Sequence, residues 1–568
     1  MKIRDAFFQT ERKISILPSE SRLLLLFAPP KVEKKVVPLL PSVPQPERGR
    51  EDAAWRQMRR AIQQEGSLPS PFYFQSPWGG QALADGAGDA EWTWGPKGKQ
   101  KPGNYAKLFR ALRYLRAGRE MEAAYALQDA LPFSGIQRYL DGLNDWIWER
   151  KSFLCKNGLK FCWHQIWNSP DPRLVQFSLW YFCFYRNAYE KFLRGVVSFL
   201  SQCEAFTLYC LRIVSEWEDA QEFIFKIARR SKDYGRYAAI RYLNPETPGA
   251  RDWLIRQAWK DTKMPMDFAL LCAQKGDLCG RLEQEQISQE DFTGAGKLLA
   301  RLIPENAPYG NICNLQRGGV VIKNYLRHAA VYAKTLEDFD VVSDAYWTTR
   351  HYTYRSDELK EEVYSASLAL MRSPRCLAVV QEGMEQGSRA AYYIAQQIGM
   401  PYQQRAMRQI QLNFWQNYRL ADFLLPKHYA QELLALFERR LPMQILWYHK
   451  RPKKRTQVED EWENRARIAL GYILGKLENL PGEGEKLLLG GIRSVYIAHR
   501  DQALATLEKW ERIPKKLQLQ LHQAERYGYH LPGEGERRHR LWVLAGLAQP
   551  EQKEEPAPAG QEQPPGEP

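Results

Sequence analysis

Residues 465–477 read Arg-Ala-Arg-Ile-Ala-Leu-Gly-Tyr-Ile-Leu-Gly-Lys-Leu, and Ala466, Ala469, Leu470, Ile473, Leu474 and Leu477 recur in them at helical spacing. That period lays the apolar side chains along one face of an α-helix, and the small alanines let a second helix come close. The pattern returns at Ala503, Leu504, Leu507 and Trp510, with 34 residues between Ala469 and Ala503. Two such stretches one helix pair apart predict helices stacked on helices.

Working outward, helical patterning extends from about Asn104 to about Leu547. Breaks fall at Ser169–Pro172, Asn244–Pro248, Pro304–Gly310, Ser373–Pro374, Pro401, Pro426, Pro442, Pro452, Pro481–Gly484, Pro514 and Pro532–Gly535. Mostly helix-length segments of roughly ten to twenty residues lie between them, as antiparallel helices joined by short turns require. No strand and helix alternate, which argues against a parallel α/β sheet.

A second pattern sits inside this region. Arg236, Ala238 and Ala239 are followed by Leu243, a turn at Asn244–Gly249 and a further helix at Ala250–Ala258, and similar cores recur at Arg327–Ala330, Arg389–Ala391, Arg465–Leu470 and Arg500–Leu504. The alanines suit close helix approach, while an arginine stem can cover the next repeat and its head can bond a turn. On these residues the chain resembles HEAT-type and armadillo-like helical repeats, best over 462–530. The resemblance implies an all-α fold, an α-solenoid of antiparallel helix pairs. The intervals from Ala238 to Ala329, Ala390 and Ala469 are 91, 61 and 79 residues and share no clean period.

The flanks differ in kind. Residues 1–103 form an irregular N-terminal segment rich in Pro, Gly and aromatics, read as a small domain or a wrap; 104–547 form the helical repeat domain; 548–568 form a Pro/Glu-rich tail expected to be disordered. Prolines at 29, 30, 38, 41, 44 and 46 suit an extended stretch lying against something else, and one helix is predicted at Asp52–Gln64. Between Ser67 and Gly103, Phe72, Tyr73, Phe74, Trp78, Trp92 and Trp94 are expected to dock on the first helices, with a binding surface as the alternative. Gly86–Glu91 begins like a dinucleotide loop but lacks the third glycine, and is read as a flexible loop.

Composition narrows the compartment. With 568 residues, 44% of them apolar and 18 of them Trp, the chain can bury a large core. Three cysteine pairs, 155/162, 203/210 and 272/279, lie seven apart, which would place both thiols on one helix face; none is a CxxC, and a reducing cytoplasm is the expected location. Charges at Lys2, Arg4 and Asp5 exclude a signal peptide. The run Leu23–Ala28 is too short to span a membrane, and Leu193–Val214 is interrupted by Arg194, Gln202, Glu204 and Arg212, so no membrane association is expected.

No catalytic, cofactor or metal-binding signature emerges: the nine histidines are scattered, and neither a P-loop nor a GxSxG elbow is present. Net charge is +15, or +19 without the last twenty residues, which favours anionic partners. The densest cations, Lys450, Arg451, Lys453, Lys454 and Arg455, surround Pro452 and form the candidate anion-binding site. The acids Glu459, Asp460, Glu461 and Glu463 are expected to neutralise them. Further basic groups stand at Lys97, Lys99 and Lys101, at Lys515 and Lys516, and at Arg537, Arg538 and Arg540. The expected function is a non-enzymatic scaffold binding a protein partner. The alternative is a nucleic-acid binder, or a HEAT-like DNA-processing enzyme with a basic concave groove.

Overall fold

The computed structural model describes residues 51–547, apart from 76–80, 84–85, 96–104, 304–309, 426–427, 448–456, 511, 528 and 530–532. Among the described residues the protein is predominantly α-helical. Two short strands, β1 (Tyr73–Gln75) and β2 (Gln81–Leu83), pair antiparallel with Tyr73 opposite Leu83, a small departure from the all-α expectation. The tail at 548–568 and the prolines at 29–46 lie outside the described residues.

Several breaks in the sequence pattern are helix starts. Asp171, Thr247 and Ser373 each accept a backbone N–H through the side chain, and a proline follows each as the first helical residue. Proline fits there because its missing N–H has no intrahelical partner to lose. The helix Gln289–Leu302 begins with a capping box, in which Ser288 and Asp291 satisfy each other's backbone N–H groups.

The described residues fall into two compact units. One takes those up to Tyr332 together with Trp347–Ala366; the other takes Ala333–Tyr346 and those from Ser367 onward. In the N-terminal unit the helices Pro172–Phe182, Glu204–Val214, Asp233–Tyr242, Phe268–Lys275 and Gln289–Leu302 pack in series, each on the next. Helices between them, Glu190–Leu200, Ala220–Arg230 and Pro248–Arg256, pack on members of this series.

Hydrogen bonds join neighbours along the series at offsets from 22 to 30 residues. Gln176 Nε2 donates to the Ala205 carbonyl at 2.9 Å, Ser231 Oγ to the Ser201 carbonyl at 3.1 Å, and the Tyr234 N–H to Glu204 Oε2 at 3.1 Å. The Asp233 N–H donates to Thr262 Oγ1 at 2.6 Å and Tyr237 Oη to Asp267 Oδ1 at 2.7 Å. These partners are 29 or 30 residues apart.

In the C-terminal unit the opening stretch forms most of the helix Gln457–Leu474, and Ala466, Ala469, Leu470, Ile473, Leu474 and Leu477 are all 0% exposed. It packs on the helices Glu485–Ile492 and Ile497–Glu508, and these two also pack on each other. His499 Nε2 donates to the Arg467 carbonyl at 3.0 Å, Thr506 Oγ1 to the Leu474 carbonyl at 3.4 Å, and Trp510 Nε1 to the Leu477 carbonyl at 3.2 Å. Offsets of 32 or 33 residues that advance together mean the first and third helices run parallel, in the register that the Ala469 and Ala503 spacing anticipated.

Two local expectations are corrected. Residues 87–94 form a helix, not a flexible loop, because Asp89 and the neighbouring tryptophans have interior partners. One cysteine pair departs from a shared helix face: Cys272 and Cys279 lie on separate helices, whereas Cys155 and Cys203 are the N-cap residues of the helices that carry Cys162 and Cys210 two turns on. Cys162, Cys203, Cys210 and Cys272 are buried, whereas Cys155 and Cys279 are partly exposed. Glu463 is buried at 3% exposure and accepts from Tyr496 Oη at 2.5 Å, and Glu461 pairs with Arg465 at 2.8 Å; the basic run they were expected to neutralise lies outside the described residues.

Candidate functional site

The cluster Lys450, Arg451, Lys453, Lys454 and Arg455 lies outside the described residues, as do Lys97, Lys99 and Lys101. Lys515 and Lys516 are exposed at the start of the helix Lys515–His522. The third basic group is largely spent within the protein. Arg537 holds Asp501 at 2.5 Å and Arg540 holds Glu508 at 2.6 Å, both through Nε, while the Arg538 guanidinium lies 4.4 Å from the Trp542 ring centre. Two of these three cations therefore already have carboxylate partners.

A buried group of ionisable side chains around Asp89 was not anticipated from the sequence. The helix Ala87–Trp94 places Asp89 inside the N-terminal unit, where Oδ1 accepts from the Gln137 backbone N–H at 2.7 Å and Oδ2 from Tyr209 Oη at 2.9 Å. Beside it, Asp141 accepts from Trp92 Nε1 at 2.7 Å and from the Gln137 side chain, and lies 3.7 Å from the buried Arg212 guanidinium. Burial pushes the Asp89 carboxyl up to about 6, against the lowering effect of its hydrogen bonds and of Arg212. Both carboxylate oxygens are occupied by protein donors. The arrangement clamps a short helix to the helices Gln137–Glu149 and Glu204–Val214 rather than holding a substrate.

Aromatic docking adds to the clamp: of the rings expected to dock, Phe74 and Trp94 do so, on helices well along the series, while Tyr73 is 43% exposed and Trp78 lies outside the described residues. Trp94 stands edge-on to Tyr237 at 5.4 Å between ring centres, Phe74 packs against Phe206 at 5.5 Å, and Trp55 meets Trp167 at 5.6 Å. Gly88 is required by contact, since a Cβ there would sit 2.7 Å from the Gly135 backbone nitrogen. The sequence signal for this anchor was an acid between Gly88 and Ala90 in an aromatic stretch, a pattern that also fits a loop.

A recurrent device joins the helices. Arg236, on the helix Asp233–Tyr242, donates to the carbonyls of Ser231, Ala258 and Lys260 at 2.9, 2.7 and 2.6 Å. Arg327 reaches the Leu282 and Gln284 carbonyls at 2.9 and 2.8 Å, Lys275 those of Arg241 and Leu243 at 2.8 and 2.7 Å, and Arg375 that of Ala333 at 3.0 Å. Each cation covers carbonyls at or just beyond the C-terminal end of another helix, where the peptide dipoles leave partial negative charge.

His499 behaves likewise. Its Nε2 faces a carbonyl and must carry the proton, leaving Nδ1 to accept from Ser494 Oγ at 3.0 Å, and burial holds its pKa down at about 4. Among the described residues no group of three His, Cys, Asp or Glu is placed to hold a metal ion, and no helix is long and apolar enough to cross a membrane. No protein-family model, curated protein or solved structure matches the chain.

Proposed function

We propose that the chain is an α-solenoid of HEAT or armadillo type and a non-enzymatic scaffold for a protein partner. The observation that carries this reading is the packing of five helices in series, each on the next, as repeated units that contact their neighbours would pack. It is supported by the use made of interior charge, since Arg236 and Asp89 are bonded to the protein's own backbone or side chains. Exposed apolar side chains supply a contact surface. Met121 and Tyr125, four apart on the helix Glu120–Ala130, are 70% and 60% exposed.

Nucleic acid is the weaker reading, because Arg537 and Arg540 already face carboxylates; it rests on Lys515, Lys516 and the cations at 450–455. The test is capture of a partner from the native source with the full chain, at about 50 and about 300 mM salt. A protein retained in stoichiometric amount at both salts, and lost with Met121→Asp/Tyr125→Asp, is the expected result. Capture of nucleic acid that falls with salt, and that disappears when the five cations at 450–455 become serine, would favour the other reading. Failure to retain any stoichiometric partner overturns both.

A further inference from the structure

Trp447, Arg493, Arg526 and Tyr527 meet in the C-terminal unit. Trp447 follows the helical turn Met443–Leu446, and Arg493 follows the helix Glu485–Ile492. A bridge between Trp447 and Ser494, with the Val495 N–H donating to the Leu446 carbonyl at 2.8 Å, holds these two segments side by side. Tyr527 closes the turn Ala524–Tyr527, is 3% exposed, and has its ring centre 6.1 Å from that of Trp447.

Two cations share the Tyr527 ring. The Arg493 guanidinium lies 5.2 Å from its centre and 5.5 Å from that of Trp447. Arg526 lies 5.2 Å from the same Tyr527 centre and donates to the Tyr527 hydroxyl at 3.4 Å. The two charges are therefore at most about 10 Å apart, twice the distance of each from the ring centre and about one Debye length at physiological salt.

Among the described residues neither cation has a carboxylate partner. The half-buried Arg493 makes no hydrogen bond or ion pair through its side chain, its Nε being enclosed without an acceptor, and the exposed Arg526 bonds only the Tyr527 hydroxyl. Other arginines of this region are committed. Arg500, which reaches the Tyr527 carbonyl at 3.4 Å, pairs with Glu534 at 3.2 Å, Arg537 pairs with Asp501, and Arg540 pairs with Glu508. Aromatic rings stabilise a guanidinium without using its N–H donors, which stay available to an acceptor. Two like charges held on one ring repel, and an anionic group bonded to each relieves the repulsion.

We propose that Arg493 and Arg526 bind an acidic stretch of a protein partner, one carboxylate to each guanidinium, with Tyr527 holding both cations and Trp447 the first. This rests on the scaffold reading and names the chemistry of its partner. Alternate side chains of an extended chain stand about 7 Å apart, which matches two carboxylates to two cations at this separation. A nucleic-acid backbone asks for a longer track of free cations, which Arg500, Arg537 and Arg540 do not supply.

Fluorescence anisotropy of a labelled peptide of about ten alternating Glu and Gly residues, with the full chain at about 50 mM salt, tests it. Wild type should bind the peptide, and Arg493→Gln/Arg526→Gln should weaken binding at least about tenfold with an unchanged circular dichroism spectrum. Arg493→Lys/Arg526→Lys keeps both charges and should restore only part of the affinity, because an ammonium lacks the planar fork. Should Arg493→Gln not fold, Arg526→Glu alone, at an exposed position, should weaken binding at least about threefold. No measurable binding by wild type overturns the proposal, as does binding that folded Arg493→Gln/Arg526→Gln retains. An oligothymidylate bound more tightly than the peptide, and lost in the same variant, would make this a nucleic-acid site and overturn it too. Partner capture separates the two readings. A captured protein retained equally by Arg493→Gln/Arg526→Gln overturns this site and leaves the scaffold, whereas peptide binding lost in that variant, with no partner captured, supports the site and removes the scaffold.

Discussion

Asp89 shows what a single side chain contributes here. Its carboxyl is fully enclosed and titrates near 6 in the folded protein, against an ordinary value of 3.8. Because the folded value is the higher one, the stability this group contributes is complete below about pH 4 and is lost as pH rises through 6. A shift of about two units corresponds to about 3 kcal/mol. Asp89→Asn cannot ionise and keeps one carbonyl acceptor for Gln137 or Tyr209. The difference in unfolding free energy between Asp89→Asn and wild type should therefore rise in favour of the variant between pH 4 and 7, by an amount of that order. Urea unfolding at a series of pH values measures it, and a difference that stays flat would show that Asp89 is not buried as described.

At the scale of elements, spacing and small residues decide how closely helices meet. Gly294, on the helix Gln289–Leu302, faces the end of the helix Pro248–Arg256 so closely that a Cβ would lie 2.2 Å from the Ile255 carbonyl oxygen. The same interface carries the two bonds from Arg256 to Asp291, at 2.7 and 2.9 Å. Gly294→Ala must push backbone away from backbone and also disturb that ion pair, so it should cost about 2–4 kcal/mol despite alanine's better helix propensity. Thermal unfolding would report it. An unchanged or raised melting temperature would mean that the two helices do not approach as described. Gly195, in the same helical context but with open space around it, is the internal contrast.

At the scale of the whole molecule, the division of the chain is not a single cut. Residues Trp347–Ala366 belong with the N-terminal unit, where Lys323 bonds Glu362 at 2.7 Å and Tyr352 Oη donates to the Ile303 carbonyl. Ala333–Tyr346 belong with the C-terminal unit, where Ser343 Oγ donates to Gln397 Oε1 at 2.9 Å. A fragment ending at Tyr332 should therefore be cut by protease at least about tenfold faster than one ending at Ala366, because it lacks the segment that bonds its last helices. Equal resistance of the two fragments would count against the division.

The helical class and the core of Gln457–Leu474 were legible in residues 465–477, because helix burial repeats at three and four residues and the interior apolar positions carry that period directly. Breaks ending at Pro172, Pro248 and Pro374 were legible too, but that each proline is the first residue of a capped helix was read only from the structure. The packing of helices in series was not legible, since the bonds that join neighbours come from different residue types in turn: glutamine, serine, a backbone N–H and tyrosine. The Asp89 clamp escaped for the same reason. Its partners, Gln137 and Tyr209, lie 48 and 120 residues away, and no local pattern ties an acid in a glycine-rich stretch to a backbone N–H and a hydroxyl that only folding brings together. Periodicity along the chain is a short-range property and set the elements; long-range contact alone determined which helices share a register, which acid is buried and which cations face a neighbour's carbonyls.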